Sequence, residues 1–228
     1  MSLTVYKKKR SFKETPEPSG KTKSSRRGLK FVVQKHDATS LHYDFRLELE
    51  GVLKSWAIPK GPSLNPEDKR LAMMVEDHPY DYRTFEGTIP EGNYGAGTVM
   101  VWDEGIYEAL GYERESIKDQ EKILLQELKK GDLKFVLHGE KVKGAYALVK
   151  IKGRGENAWL LIKKKDDEAS KTDITKKDRS VLTNRNLRQI AEETGGKIKE
   201  KKSLVKKRPK PELLSHDRVR EVKKKSST

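Results

Sequence analysis

From Leu41 the chain alternates without a break: Leu41, Tyr43, Phe45, Leu47 and Leu49 are apolar, and His42, Asp44, Arg46, Glu48 and Glu50 are polar or charged. This period of two predicts a half-buried β-strand with its polar residues on one face. Further short strand-like segments recur at residues 29–35, 52–58, 71–76, 98–103, 106–110, 133–138, 145–151 and 157–163, separated by Gly-, Pro- or Asp-rich turns. That density predicts a mainly β fold, an antiparallel barrel or sandwich. One segment breaks the pattern with helical spacing: Ile117, Leu124, Leu125 and Leu128 line up after Ser116, a good N-cap, and before Gly131, a good helix stop. A second short helix is predicted over 187–193, ahead of Gly195-Gly196. The run Thr15-Pro16-Glu17-Pro18-Ser19-Gly20 favours an extended chain. The organisation expected is therefore a basic N-terminal arm over 1–28, a barrel domain over 29–190 and a basic, flexible C-terminal tail over 191–228.

Charge sharpens this division. Of the net +15 carried by 228 residues, positions 1–30 hold ten Lys/Arg against two acids, positions 31–162 hold 18 against 22, and positions 163–228 hold 22 against 11. A mildly acidic centre between two basic ends points to a phosphate-seeking partner, because clustered Lys and Arg displace counterions from nucleic acid. There is no cysteine, which removes disulfides and thiolate metal sites and leaves the redox compartment undetermined. No apolar run approaches the roughly 20 residues of a membrane span, so a cytoplasmic protein with no membrane partner is expected.

Candidate chemistry concentrates where the alternation is strictest. On a strand, His42, Asp44 and Arg46 project from one face. If 29–35 pairs with it through the turn Asp37-Ala38-Thr39-Ser40, His36 faces His42 with Cβ atoms roughly 5 Å apart. Two imidazoles and a carboxylate then converge on a borderline divalent ion such as Mn, Fe or Zn, with positions left for water and substrate, and Arg46 can hold an anion beside it. A merely solvated polar face is the plainer reading, and the strict spacing His-x5-His-x-Asp-x-Arg weighs against it. His78, followed by Pro79, is expected at a strand-loop junction. The Gly-rich run 90–97 reads as a tight hairpin, lacking the Lys-Ser/Thr of a P-loop. Two other classes fit the same residues: a non-haem iron oxygenase with two His and one carboxylate, and a non-catalytic nucleic-acid-binding barrel with a structural ion.

Several separated motifs occur together: His36-x5-His42-Tyr43-Asp44-Phe45-Arg46-Leu47-Glu48, Trp56-Ala57-Ile58-Pro59-Lys60-Gly61-Pro62-Ser63, Glu76-Asp77-His78-Pro79, Phe85-Glu86-Gly87 and Tyr94-Gly95-Ala96-Gly97. In this order and spacing, over roughly residues 5–190, the chain resembles the 3'-phosphoesterase domain of bacterial DNA ligase D. The resemblance implies a compact β-barrel enzyme that uses a divalent metal, typically manganese, to trim DNA 3' ends in double-strand-break end joining. It implies removal of a 3'-phosphate and shortening of a 3' ribonucleotide tract on a primer-template. The 3'-hydroxyl left behind would serve a separate polymerase or ligase, since neither module fits in the remaining length and a stand-alone form is expected. Carried over by motif, His36, His42 and Asp44 are metal ligands, Arg46 and His78 hold the scissile phosphate, Glu76 and Tyr82 match positions needed for activity, and Lys60 and Arg70 match basic positions near the site. In the N-terminal segment, Arg10 and Glu17 align with functional positions. Ser11 departs from the family's usual Asp, which bears on the ribonucleotide-trimming step.

Overall fold

A computed structural model of the chain describes residues 3–20 and 28–196. Nine antiparallel strands form one sheet: β1 (Leu29–Asp37), β2 (Leu41–Leu49), β3 (Val52–Ile58), β4 (Lys69–Pro79), β5 (Gly87–Ile89), β6 (Gly97–Ala109), β7 (Asp132–Gly139), β8 (Lys143–Lys150) and β9 (Ala158–Lys163). The order β1-β2-β3-β4-β9-β8-β7-β6 closes through a further pairing of β1 with β6, which makes the predicted barrel, and β5 adds to the outer half of β6. Closure gives each of the eight barrel strands a strand neighbour on both sides. No helix among the described residues is long and apolar enough to cross a membrane.

The alternation in β2 sets the inside and the outside. Tyr43, Phe45, Leu47 and Leu49 join Phe31, Trp56, Trp102, Phe135 and Tyr146 in the barrel interior, so His42, Asp44 and Arg46 face outward. That outer face is not solvated as a half-buried strand would be: Asp44 and Arg46 are buried too. The cover comes from the N-terminal segment. Instead of an extended arm, residues 4–8 form a short helix, α1 (Thr4–Lys8), whose Tyr6 is fully buried. Tyr6 packs with Leu53, Tyr82, Phe85, Ile89 and Val99 in a second apolar cluster outside the barrel. Burying a tyrosine ring of this kind contributes roughly 1.5–3 kcal/mol, enough to dock a short segment whose composition reads as linker. Gly20, at φ +66°, completes the return, because its missing side chain lets the backbone pass against the Pro79 ring.

Two helices form where their caps predict. In α2 (Ile117–Lys130) the Ser116 side chain accepts from the Asp119 amide and Gly131 adopts the left-handed C-terminal conformation. In α3 (Leu187–Glu193) Asn186 and Gln189 form a reciprocal capping box. Ile190 and Ala191 of α3 are buried, so the helix carries the folded region past the expected boundary at 190. The expected tail from residue 197 onward lies outside the described residues. The two strands expected at 98–103 and 106–110 are one, β6. Gly105 between them is no turn: its backbone passes so close to the His138 carbonyl of β7 that a side chain there would collide.

Candidate active site

The β1–β2 register sets His36 directly opposite His42, with ring centroids 4.7 Å apart. The Asp44 carboxylate lies 3.4 Å from His36 Nδ1 and 3.7 Å from His42 Nε2, and one donor atom from each of the three falls within 4.8 Å of the others. The other ring nitrogens face backbone carbonyls: His36 Nε2 is 3.0 Å from the Gly95 oxygen and His42 Nδ1 is 2.9 Å from that of Ser40. A carbonyl only accepts, so the hydrogens sit on those nitrogens and the lone pairs are left on the two nitrogens that face Asp44. This outer bonding is what orients imidazoles for metal ligation. Two imidazole nitrogens and one carboxylate suit a borderline divalent transition metal and leave open positions. Burial alone would raise the Asp44 pKa, but the adjacent Arg46 guanidinium leads the influences that outweigh it and hold the carboxyl well below its usual range.

Arg46 continues the same face. Its Nη2 is 3.2 Å from Asp44 Oδ2, its Nε donates to Gln34 Oε1 at 2.8 Å, and its Nη1 is buried with no partner. Buried donors are rarely left so; the guanidinium carbon lies 5.0 Å from the Tyr82 ring centroid, and the residue lines a cavity where its charge favours an anion. Gln34 in turn donates to the carbonyls of Tyr82 at 3.0 Å and Phe85 at 3.1 Å. It thereby ties the guanidinium to the 3-10 turn at residues 80–84. The sequence reading missed Gln34, although it stands two residues before His36 on the outward face of β1. Gln34→Ala strands Arg46 Nε and two carbonyls, so we expect a stability loss of about 1–3 kcal/mol in chemical denaturation, with the bound metal retained.

The opposite wall comes from β4 and the docked segment. His78 sits at the end of β4, as Pro79 foretold. Its Nδ1 is 2.9 Å from the Glu76 carbonyl, and its Nε2 accepts from Arg10 Nη2 at 3.0 Å. Burial, reinforced by the Arg46 and Arg10 cations, lowers its pKa well below the usual histidine value, so the resting imidazole is neutral with its proton on Nδ1. Arg10 also donates to Glu17 Oε1 at 2.9 Å and Glu76 Oε1 at 3.0 Å, and stacks over the Tyr6 ring with its central carbon 4.0 Å from the centroid. The Tyr82 hydroxyl donates to the same Glu17 oxygen at 3.0 Å. Burial, and then the Glu17 carboxylate, push the Tyr82 pKa well above its ordinary value, so it stays a phenol donor.

A cavity of about 200 Å³ lies between these walls, lined by Arg10, His36, His42, Asp44, Arg46, Glu76, His78, Tyr82 and Tyr94 among others. Nine of the eleven candidate residues thus meet: eight line the cavity and Glu17 stands directly behind it. Lys60 and Arg70 do not. Lys60 is exposed just beyond β3, and Arg70 pairs with Asp68 at 2.8 Å near the start of β4. Arg70 is three residues from Met73, which pairs with Ala57 opposite Asp44, and Lys60 is two beyond Ile58, the partner of Tyr43. The Gly-rich run forms the predicted hairpin between β5 and β6, and through the Gly95 carbonyl it also holds a metal-ligand candidate.

Residues 34–150 match the family described as the DNA Ligase D 3'-phosphoesterase domain. The multifunctional non-homologous end joining protein LigD of Pseudomonas aeruginosa is 50% identical over 192 residues, covering 81% of this chain and 22% of that protein. Its namesake in Mycolicibacterium smegmatis is 42% identical over 167 residues, with 73% and 21% covered. The multifunctional non-homologous end joining DNA repair protein LigD of Mycobacterium tuberculosis is 41% identical over 170 residues, with 74% and 20% covered. The chain therefore spans about a fifth of the length of these relatives. The match includes both halves of the His36, His42 and Asp44 cluster and the Arg46 and His78 walls of the cavity, and the chain belongs to the DNA ligase D 3'-phosphoesterase domain family.

Proposed function

We propose that this chain is a metal-dependent phosphoester hydrolase acting on DNA 3' ends in double-strand-break end joining. It removes a 3'-phosphate, and trims a 3' ribonucleotide, to leave a 3'-hydroxyl for a separate polymerase or ligase. The observation that carries the reading is the convergence of the His36, His42 and Asp44 donors, within 4.8 Å of one another, in a cavity that Arg46 and His78 also line. Manganese is the ion we assign to those donors. When bound, such an ion polarises a phosphate oxygen and lowers the pKa of a coordinated water.

The chain's own residues divide the remaining work. Arg46 Nη1 takes a phosphate oxygen while Nε and Nη2 stay anchored on Gln34 and Asp44. His78 stands on the opposite side of the cavity, and an entering phosphate adds negative charge that favours its cationic form, which requires Nε2 to release Arg10 Nη2. Arg10 uses its nitrogens on Glu17, Glu76 and His78, so we assign Arg10 and Glu17, both sequence candidates for substrate binding, to holding the wall against which the substrate sits. We assign this activity to the cytoplasm, in keeping with relatives that are bacterial end-joining proteins.

The test is a 5'-labelled primer-template ending in a 3'-phosphate, incubated with protein and Mn and resolved on a denaturing gel. Conversion to the 3'-hydroxyl product, stopped by chelation and restored by added metal, is expected. Activity that requires oxygen and a 2-oxo acid would point to the oxygenase instead, and tight DNA binding without turnover would leave a binding barrel.

The two termini should separate in the same assay. Deleting residues 1–18 removes Tyr6, Arg10 and Glu17 from the site wall and should lower turnover at saturating substrate, most visibly on a 3' ribonucleotide end. Deleting residues 197–228, rich in Lys and Arg, should weaken DNA binding and flatten its salt dependence with saturated turnover preserved. Equal effects of the two deletions on saturated turnover would overturn this division.

A further inference from the structure

Tyr94 is an aromatic residue that the barrel does not need. It stands in the β5–β6 hairpin loop, 47% exposed, and its ring belongs to neither apolar cluster. Yet it lines the rim of the catalytic cavity. The loop that carries it is held in place: the Asn93 amide donates to the Pro90 carbonyl at 3.3 Å, the Ala96 amide to the Asn93 carbonyl at 3.1 Å, and the Gly95 carbonyl meets His36 Nε2 at 3.0 Å. From the docked segment, Lys9 Nζ donates to the Tyr94 hydroxyl at 3.1 Å and lies 4.4 Å from the ring centroid, and the Arg10 guanidinium is 5.4 Å away. The ring is thus fixed relative to the metal-ligand candidates, on a residue that stays exposed at the cavity rim.

The size of the cavity says what the open surface meets. About 200 Å³ is below the roughly 300 Å³ at which sites for whole organic ligands begin, so it admits a phosphate and leaves the attached nucleoside at the rim. We infer that Tyr94 stacks on the terminal nucleobase of the strand whose 3'-phosphate enters the cavity. The inference rests on the hydrolase reading and adds to it a residue that recognises the nucleoside. Stacking on a tyrosine face is tolerant of base identity, which suits a protein that must accept any broken end.

The test compares two primer-templates that differ at one point: the 3'-phosphate is carried by an ordinary terminal nucleotide or by a terminal tetrahydrofuran residue that lacks a base. For the wild type, KM should rise by roughly 5- to 150-fold on the abasic end, the range that one aromatic-base stack spans. Tyr94→Ala should raise KM by a similar factor on the ordinary end and show no further rise on the abasic one. Tyr94→Phe, which keeps the ring and loses the Lys9 hydrogen bond, should retain the discrimination. Metal content and circular dichroism of each variant separate a lost stack from a disturbed His36 loop. A wild type that treats both ends alike, or a Tyr94→Ala variant that still discriminates, would overturn the inference and leave the hydrolase reading standing. Release of phosphate from neither end by the wild type would overturn both.

Discussion

Asp44→Asn is expected to abolish phosphate release and to weaken metal binding by roughly 100-fold or more, beyond the 10- to 100-fold typical of residues that only support a ligand. The amide keeps the shape of the side chain but removes the one anionic donor among the three. His36→Ala and His42→Ala should come close to the same loss, since each removes a nitrogen whose lone pair is aimed by a backbone carbonyl on its far side. Asp44→Ala carries a second penalty. Asp44 and Arg46 are buried side by side, with Nη2 3.2 Å from Oδ2, and removing one partner of a buried pair costs about 3–5 kcal/mol. For that reason the isosteric variant is the one to assay, with metal content by elemental analysis and folding by thermal melt. An Asp44→Asn protein that turns over substrate at the wild-type rate under limiting metal would sink the ligand assignment.

The meeting of His36, His42 and Asp44 was legible because the information it needs is local. A period of two puts His42, Asp44 and Arg46 on one face, and a four-residue turn sets His36 opposite His42; both features survive any choice of surrounding fold. Helix α2 was legible for the same reason, its cap and its stop both lying within a residue of its ends. What covers the cluster was not. Tyr6 reaches His78 across 72 positions of sequence, with ring centroids 5.1 Å apart, and nothing in a Thr-Pro-Glu-Pro run announces that the residues before it will dock. Gly105 looked like a turn because the side-chain pattern cannot show that a neighbouring carbonyl approaches from β7. Motif order placed Lys60 and Arg70 near the site, and the register sets them respectively two residues beyond Ile58 and three from Met73, close to the row of the sheet that holds Asp44 but outside the cavity lining. Gln34 was the avoidable omission. It shares the outward face of β1 with His36, and a buried carboxamide there needs partners on both sides, which Arg46 and the 80–84 turn provide.

Removing the anion clamp should give a different signature from removing the ion. Arg46→Ala and His78→Ala are each expected to lower turnover by roughly 100-fold or more, the scale of a lost charge-stabilising donor in a transition state, with the three metal donors still in place. Arg46 contributes through geometry as much as through charge: Nε on Gln34 and Nη2 beside Asp44 fix the plane of the guanidinium, so that Nη1 has one direction left. Arg46→Lys should therefore rescue little, because a single ammonium cannot keep both anchors and still present a donor to phosphate. The partner contacts make a further distinction. His78→Ala also frees the Arg10 Nη2 that it accepts from, so its loss loosens the docked segment and should raise KM as well as lower kcat. Arg46→Ala leaves that segment tied through Glu17 and Glu76 and should act chiefly on kcat. Elemental analysis beside steady-state kinetics decides the matter: if both Ala variants lose their metal, these side chains belong to the ion's support, and the clamp assigned to them is wrong.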